Sequence, residues 1–208
     1  MNKLHTALEW ITKVAYLNLL WLLFTILGAV LLGLFPATAA TFAVVRKWIT
    51  GYTDAPLFKT FWKEWKSSLV QANILGYIIA LVGYVLYLDF LFVTISQSDF
   101  ALLLTVPFLM ISILYLLTSL YVFPVYVTYE MKIGQVFKSA FFVMLLNPIP
   151  TLIMTLGVFG IGFLLYQFQW MFLFFSMSMF ALALMMPANR SFSKITTKKE
   201  KLYKEATN

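Results

Sequence analysis

The chain has 208 residues, of which 62% are hydrophobic and 11% charged, whereas a soluble domain is about half apolar and about a quarter charged. No soluble core can hide so much apolar surface, so the composition excludes a soluble globular domain and points to an integral membrane protein. Fifteen Lys and Arg against eight Asp and Glu give a net charge of +7, but the basic residues stand at the ends of apolar segments and in the tail. Their expected counter-charge is therefore the anionic headgroups of a lipid bilayer, not nucleic acid. The absence of Cys removes disulfides, thiol nucleophiles and thiolate metal sites, and leaves the compartment open.

Residues 1–14 place Leu4, Ala7, Leu8, Ile11 and Val14 on one helical face, with Lys3, His5, Thr6, Glu9 and Lys13 largely elsewhere. That pattern predicts an amphipathic amino-terminal helix with Trp10 at headgroup level. No charge follows until Arg46, and residues 15–35 supply the roughly 20 apolar residues that a crossing needs. A signal peptide ending near Ala37-Thr38-Ala39 is the rival reading. The run is too long for it, and cleavage there would leave the basic stretch that follows outside.

Pro36 is expected to end or kink the first crossing, with residues 37–48 resuming as a helix ending in Arg46 and Lys47. Gly51-Tyr52-Thr53-Asp54 breaks the chain and Ala55-Pro56 restarts it. Phe58, Phe61, Trp62, Trp65 and Leu69 then make an apolar stripe, with Lys59, Lys63 and Lys66 on another face. This segment is predicted to lie along the inner membrane surface, and residues 36–67 as a whole to form the largest inner loop. Arg46, Lys47, Lys59, Trp62, Lys63 and Lys66 are candidates for contacting lipid phosphates, or alternatively a partner such as a membrane transporter or sensor.

The second crossing is predicted at 68–95, and Ser96-Gln97-Ser98-Asp99, without Lys or Arg, is expected as an outer turn. The third crossing is 100–123, and an inner loop at 124–138 carries Lys132 and Lys138. The uncharged stretch that follows is long enough for two crossings, 139–165 and 168–187, divided near Gln167, Gln169 and Trp170. Residues 190–208 form a basic cytoplasmic tail. The predicted architecture is an all-α polytopic transmembrane bundle: an amphipathic helix at 1–14, a membrane domain at 15–189 with about five crossings, and the tail. Its amino terminus is expected outside and its carboxyl terminus inside. Thirteen of the fifteen basic residues then lie inside, with Lys3 and Lys13 outside. A re-entrant or tilted first run would make the crossing count even.

Two halves read alike: Leu34-Phe35-Pro36 and Val122-Phe123-Pro124 close apolar runs, and Phe58-Lys59-Thr60 and Phe137-Lys138-Ser139 open the next ones. A parallel two-helix repeat plus one extra helix is one explanation, and chance likeness among apolar helices the other. Gly157, Gly160 and Gly162 inside an apolar helix point to close helix packing. The lone His5, outside the predicted hydrocarbon, has no partner with which to build a nucleophilic or zinc site. No enzyme, cofactor or metal is expected. Asn18, Asn73, Asp89 and Asn147 are the polar residues near apolar cores. Asp89 reads as an outer-interface carboxylate or, if deeper, as an ion site. Pro148 and Pro150 are expected to interrupt the fourth crossing beside Asn147.

Four stretches resemble the YesL-like family of bacterial membrane proteins, an uncharacterised family: Gly33-Leu34-Phe35-Pro36-Ala37-Thr38-Ala39-Ala40, Val44-Val45-Arg46-Lys47-Trp48, Phe58-Lys59-Thr60-Phe61-Trp62 and Gln71-Ala72-Asn73-Ile74-Leu75-Gly76. The resemblance implies a bacterial plasma-membrane protein. Because members are often encoded beside carbohydrate-uptake systems, it also implies an accessory role there. It supplies no catalytic residues. The expected function is therefore a non-enzymatic accessory or scaffold subunit. The alternative is a small carrier with a site between two halves, lined by Asn73, Asp89 and Asn147.

Overall fold

A computed structural model of the chain describes residues 3–95 and 99–206, which hold seven α-helices and no strand. Five of these helices are long and apolar enough to cross a membrane, so the expected all-α bundle is found. Its internal boundaries differ from the expectation in ways that matter for the site. The outer turn expected at Ser96-Gln97-Ser98 lies outside the described residues.

Helix α1 (Lys3–Leu27) runs without interruption through the expected boundary between residues 14 and 15. The chain reverses at residues 28–33 and returns as α2 (Leu34–Ile49). Pro36 therefore starts α2 instead of ending α1. It sits in the first helical turn, where a missing N–H costs nothing because that group has no intrahelical partner. The reversal needs small residues: a Cβ on Gly28 would collide with the backbone of Gly33. Ala29 and Val30 also take φ of 52° and 63°, left-handed values held only where surroundings compensate them.

α2 packs antiparallel on α1. Trp21 Nε1 donates to Thr38 Oγ1 at 3.1 Å, the Trp10 ring meets Trp48 edge-on at 5.6 Å, and Lys13 Nζ reaches the Thr53 carbonyl at 3.4 Å. Ten of the sixteen residues of α2 are buried. Within the stretch expected as an inner loop at 36–67, the expected helix at 37–48, break and restart are present, but the first helix is core: residues 50–56 are the linker and 57–67 begin the next helix. These contacts also place the amino-terminal end of α1 beside that linker. Both therefore lie at one end of one packed hairpin.

Helix α3 (Leu57–Ile95) fuses the expected surface helix and second crossing into 39 residues. Its aromatic stripe is partly used inside the protein. The Phe24 ring lies 5.1 to 6.1 Å from those of Phe58, Phe61, Trp62 and Trp65, and Phe61 is fully buried. Helix α4 (Asp99–Thr128) is followed by α5 (Ile133–Leu146), α6 (Pro148–Gln167) and α7 (Trp170–Ala206). The expected interruption at Asn147 is present, with φ −129° and ψ 68°. Its freed groups are satisfied locally: Asn147 Nδ2 donates to Val143 O at 2.9 Å, and Thr151 Oγ1 donates to Asn147 O at 2.8 Å. Helix α7 continues through Pro187 into the basic tail, so residue 190 marks no structural boundary.

The Phe-Pro motifs of the expected repeat do not hold equivalent positions in their helices. Phe35-Pro36 opens α2, whereas Phe123-Pro124 lies inside α4. Among the three glycines of α6, a Cβ on Gly157 would stand 3.4 Å from that of Ala183 in α7, while one on Gly160 or Gly162 would meet open space.

Candidate functional site

Where α2, α3 and α4 end or begin at the basic end of the bundle, they enclose with residues 129–132 a cavity of about 960 Å³. Ala39 and Ala43 keep the α2 wall low, and Arg46 stands one turn further along the same wall. The last carbonyls of α4 have no partner within their helix. Arg46 Nη1 donates to one of them, Val127 O, at 2.9 Å, bringing a positive charge to the negative end of the helix dipole. Behind this wall Lys47 Nζ pairs with Glu64 Oε1 at 3.1 Å, tying α2 to α3 across 17 positions of sequence. Ser67 and Ser68 line the α3 side, with Gln71, Glu130 and Lys132 exposed around the opening. Burial pushes the Tyr129 phenol up, and the charge of Arg46 pulls it partly back. Donors, acceptors and both signs of charge thus converge on one polar recess that can hold a polar solute, headgroup or peptide segment.

Of the residues singled out in the sequence, Arg46 lines this recess and Lys47 braces it. Lys59, Lys63 and Lys66 are exposed along the first turns of α3, with Trp62 also exposed and stacked on Trp65 at 5.7 Å. They form an outward face beside the recess. The three intramembrane candidates are not brought together. Asn73 Nδ2 donates to Leu32 O at 2.9 Å and Leu69 O at 2.7 Å, Asn147 serves the α5–α6 break, and Asp89 is exposed on α3. They share no partner among the described residues.

Glu64, Ser68, Gln71, Tyr126, Tyr129 and Glu130 were not anticipated. The polar spacing of Ser67, Ser68 and Gln71 at the mouth of an apolar run was the available signal for one wall. Nothing in the sequence linked it to Tyr129. Asn18 also gained a definite role: fully buried, its Nδ2 donates to Leu173 O at 2.8 Å, and its Oδ1 accepts from the amides of Met177 at 2.9 Å and Ser178 at 3.2 Å.

Comparison with known proteins gives a consistent picture. Residues 14–90 match a family described as "Protein of unknown function, DUF624". Uncharacterized protein YesL of Bacillus subtilis (strain 168) is 36% identical over 200 residues, covering 96% of this chain and 94% of that protein. Uncharacterized protein YesV of the same organism is 34% identical over 193 residues, covering 93% of each chain. Uncharacterized protein YteU, also from that organism, is 44% identical over 125 residues, covering 60% of this chain and 55% of its own. No solved structure matches.

Proposed function

From the premise that the chain belongs to the YesL-like family, we propose that it is a non-enzymatic accessory subunit of the bacterial plasma membrane that presents its basic end to a transporter or sensor. The observation that carries this reading is the exposed face of Lys59, Lys63 and Lys66 beside Trp62 at the start of α3. Three lysines and an indole on one helix end, next to a polar recess, suit a charged protein surface rimmed by lipid headgroups. A carbohydrate importer as the partner rests on the family resemblance alone. The carrier alternative lacks support at its expected lining, because Asn73 and Asn147 have separate partners and Asp89 is exposed on α3.

Orientation belongs to the same proposal. The segments bearing all fifteen Lys and Arg converge on one end of the bundle: the start of α1, the end of α2, the start of α3, the α4–α5 junction and the far part of α7. Clustered Lys and Arg mark the cytoplasmic face, so both termini belong inside. This revises the outer amino terminus expected from the sequence.

The test is purification from native membranes in mild detergent, comparing the native chain with a variant carrying Lys59→Gln, Lys63→Gln and Lys66→Gln. Near-stoichiometric recovery of a membrane transporter or sensor with the native chain, lost with the variant, is the expected result. Recovery of both forms without a partner would reject the accessory reading.

A further inference from the structure

Residues 26–35 read Ile-Leu-Gly-Ala-Val-Leu-Leu-Gly-Leu-Phe, without one polar side chain, and they contain the whole turn between α1 and α2. Leu27, Val30, Leu31 and Leu32 are each more than half exposed there. In water such a tip would leave a contiguous apolar surface uncovered. Its backbone, by contrast, is largely satisfied within the protein. The amides of Gly28, Ala29, Val30, Leu31 and Leu32 donate to the carbonyls of Phe24, Ile26, Thr25, Ala29 and Gly28 in turn, at 2.7 to 3.1 Å. Two remaining carbonyls are met from α3: Tyr77 Oη donates to Leu31 O and Asn73 Nδ2 to Leu32 O, each at 2.9 Å. Irregular backbone at membrane depth is tolerated only where the protein satisfies its polar groups in this way.

Three measures give the depth of the tip. Tyr77, which touches it, stands eleven residues after Lys66 and twelve before Asp89, the charges that bracket the apolar run of α3. At about 1.5 Å per residue these are about 17 and about 18 Å, so the tip lies near the middle of that run. Along α2, thirteen residues separate Gly33 from Arg46, about 20 Å, well short of a hydrocarbon core of about 30 Å. Phe24, four residues before the turn, still reaches Phe58 and Trp62, which alternate with Lys59 and Lys63 at the basic end.

We propose that α1 and α2 form a re-entrant hairpin that enters the bilayer from the basic end and turns back near its mid-plane, with residues 27–32 seated against lipid acyl chains. α1 then does not reach the opposite face, and α3, α4, the α5–α6 pair and α7 make the full crossings. The amide of Asn73 and the phenol of Tyr77 hold the tip closed.

Because the chain lacks Cys, a single Leu31→Cys in the full-length protein takes one bimane label for depth measurement in phosphatidylcholine vesicles. Bromine atoms on the lipids are placed either near the headgroup or near the chain ends, and iodide serves as the aqueous quencher. The expected result is the largest loss of fluorescence with chain-end bromines and little with iodide. Dominant quenching by iodide or by headgroup-proximal bromines would put the tip at an interface and overturn the proposal. Indifference to all three would overturn its lipid contact in favour of a protein one. Val30→Cys gives the same reading if the first variant fails to fold.

Discussion

Asn18 joins two helices that lie far apart in sequence. Leu173 and Met177 are successive partners in an α-helical ladder, and the Asn18 side chain takes one hydrogen-bonding group from each. A buried amide inserted at a helix rung ties α1 to α7 more specifically than apolar contact does, since its alternative is an unpaired group in hydrocarbon. Changing Asn18→Leu is expected to cost about 1–2 kcal/mol, read as a lower unfolding midpoint in detergent. Asp89→Asn should stay within about 0.5 kcal/mol of the native chain in the same measurement, as expected for an exposed side chain without a structural partner among the described residues. In the sequence Asn18 was visible as the one amide in a long apolar run, but its partners, more than 150 positions away, were not. The reverse holds for Asp89, whose charge drew attention while its exposed setting gives it nothing to do within the fold.

The helices follow from uncharged runs and proline positions, and those features were legible. Pro148 beside Asn147 marked a break that is present, because a proline cannot continue the ladder of the helix before it. The reversal at residues 28–33 was not legible, because its turn is built from Gly, Ala, Val and Leu and carries none of the polar residues that signal a loop in water. The reversal depends instead on close backbone approach. A Cβ on Gly33 would stand 2.5 Å from Thr25 O and 2.6 Å from Phe24 O, whereas one on Gly160 would meet nothing. Gly33→Ala is therefore expected to destabilise the protein by about 1–3 kcal/mol through overpacking. Gly160→Ala should be neutral, or stabilising by up to about 1 kcal/mol from helix propensity. Thermal unfolding of the two variants in one detergent checks both, and equal midpoints would argue against a tightly closed hairpin.

Across the whole molecule, charge and shape agree. α3 and α7, at 39 and 37 residues, are each longer than the roughly 20 residues that span a bilayer. α3 begins, and α7 ends, in lysine-bearing turns at the same end as the recess bounded by Arg46, Glu64 and Tyr129. The count of basic residues groups the 36–67 stretch with residues 124–138 and the tail on one side. It set Lys3 and Lys13 apart from that end because a periodic pattern reads direction only by assuming that each apolar run crosses. The contacts of Trp10 with Trp48 and of Lys13 with Thr53 replace that assumption with geometry. The most direct measurement is labelling of Thr6→Cys and Tyr52→Cys, made singly, with a membrane-impermeant maleimide on spheroplasts and on inside-out vesicles. Both sites should be protected in spheroplasts and labelled in inverted vesicles. Labelling of Thr6→Cys from outside with Tyr52→Cys protected would contradict the packed hairpin, and labelling of both from outside would reverse the orientation of the basic end.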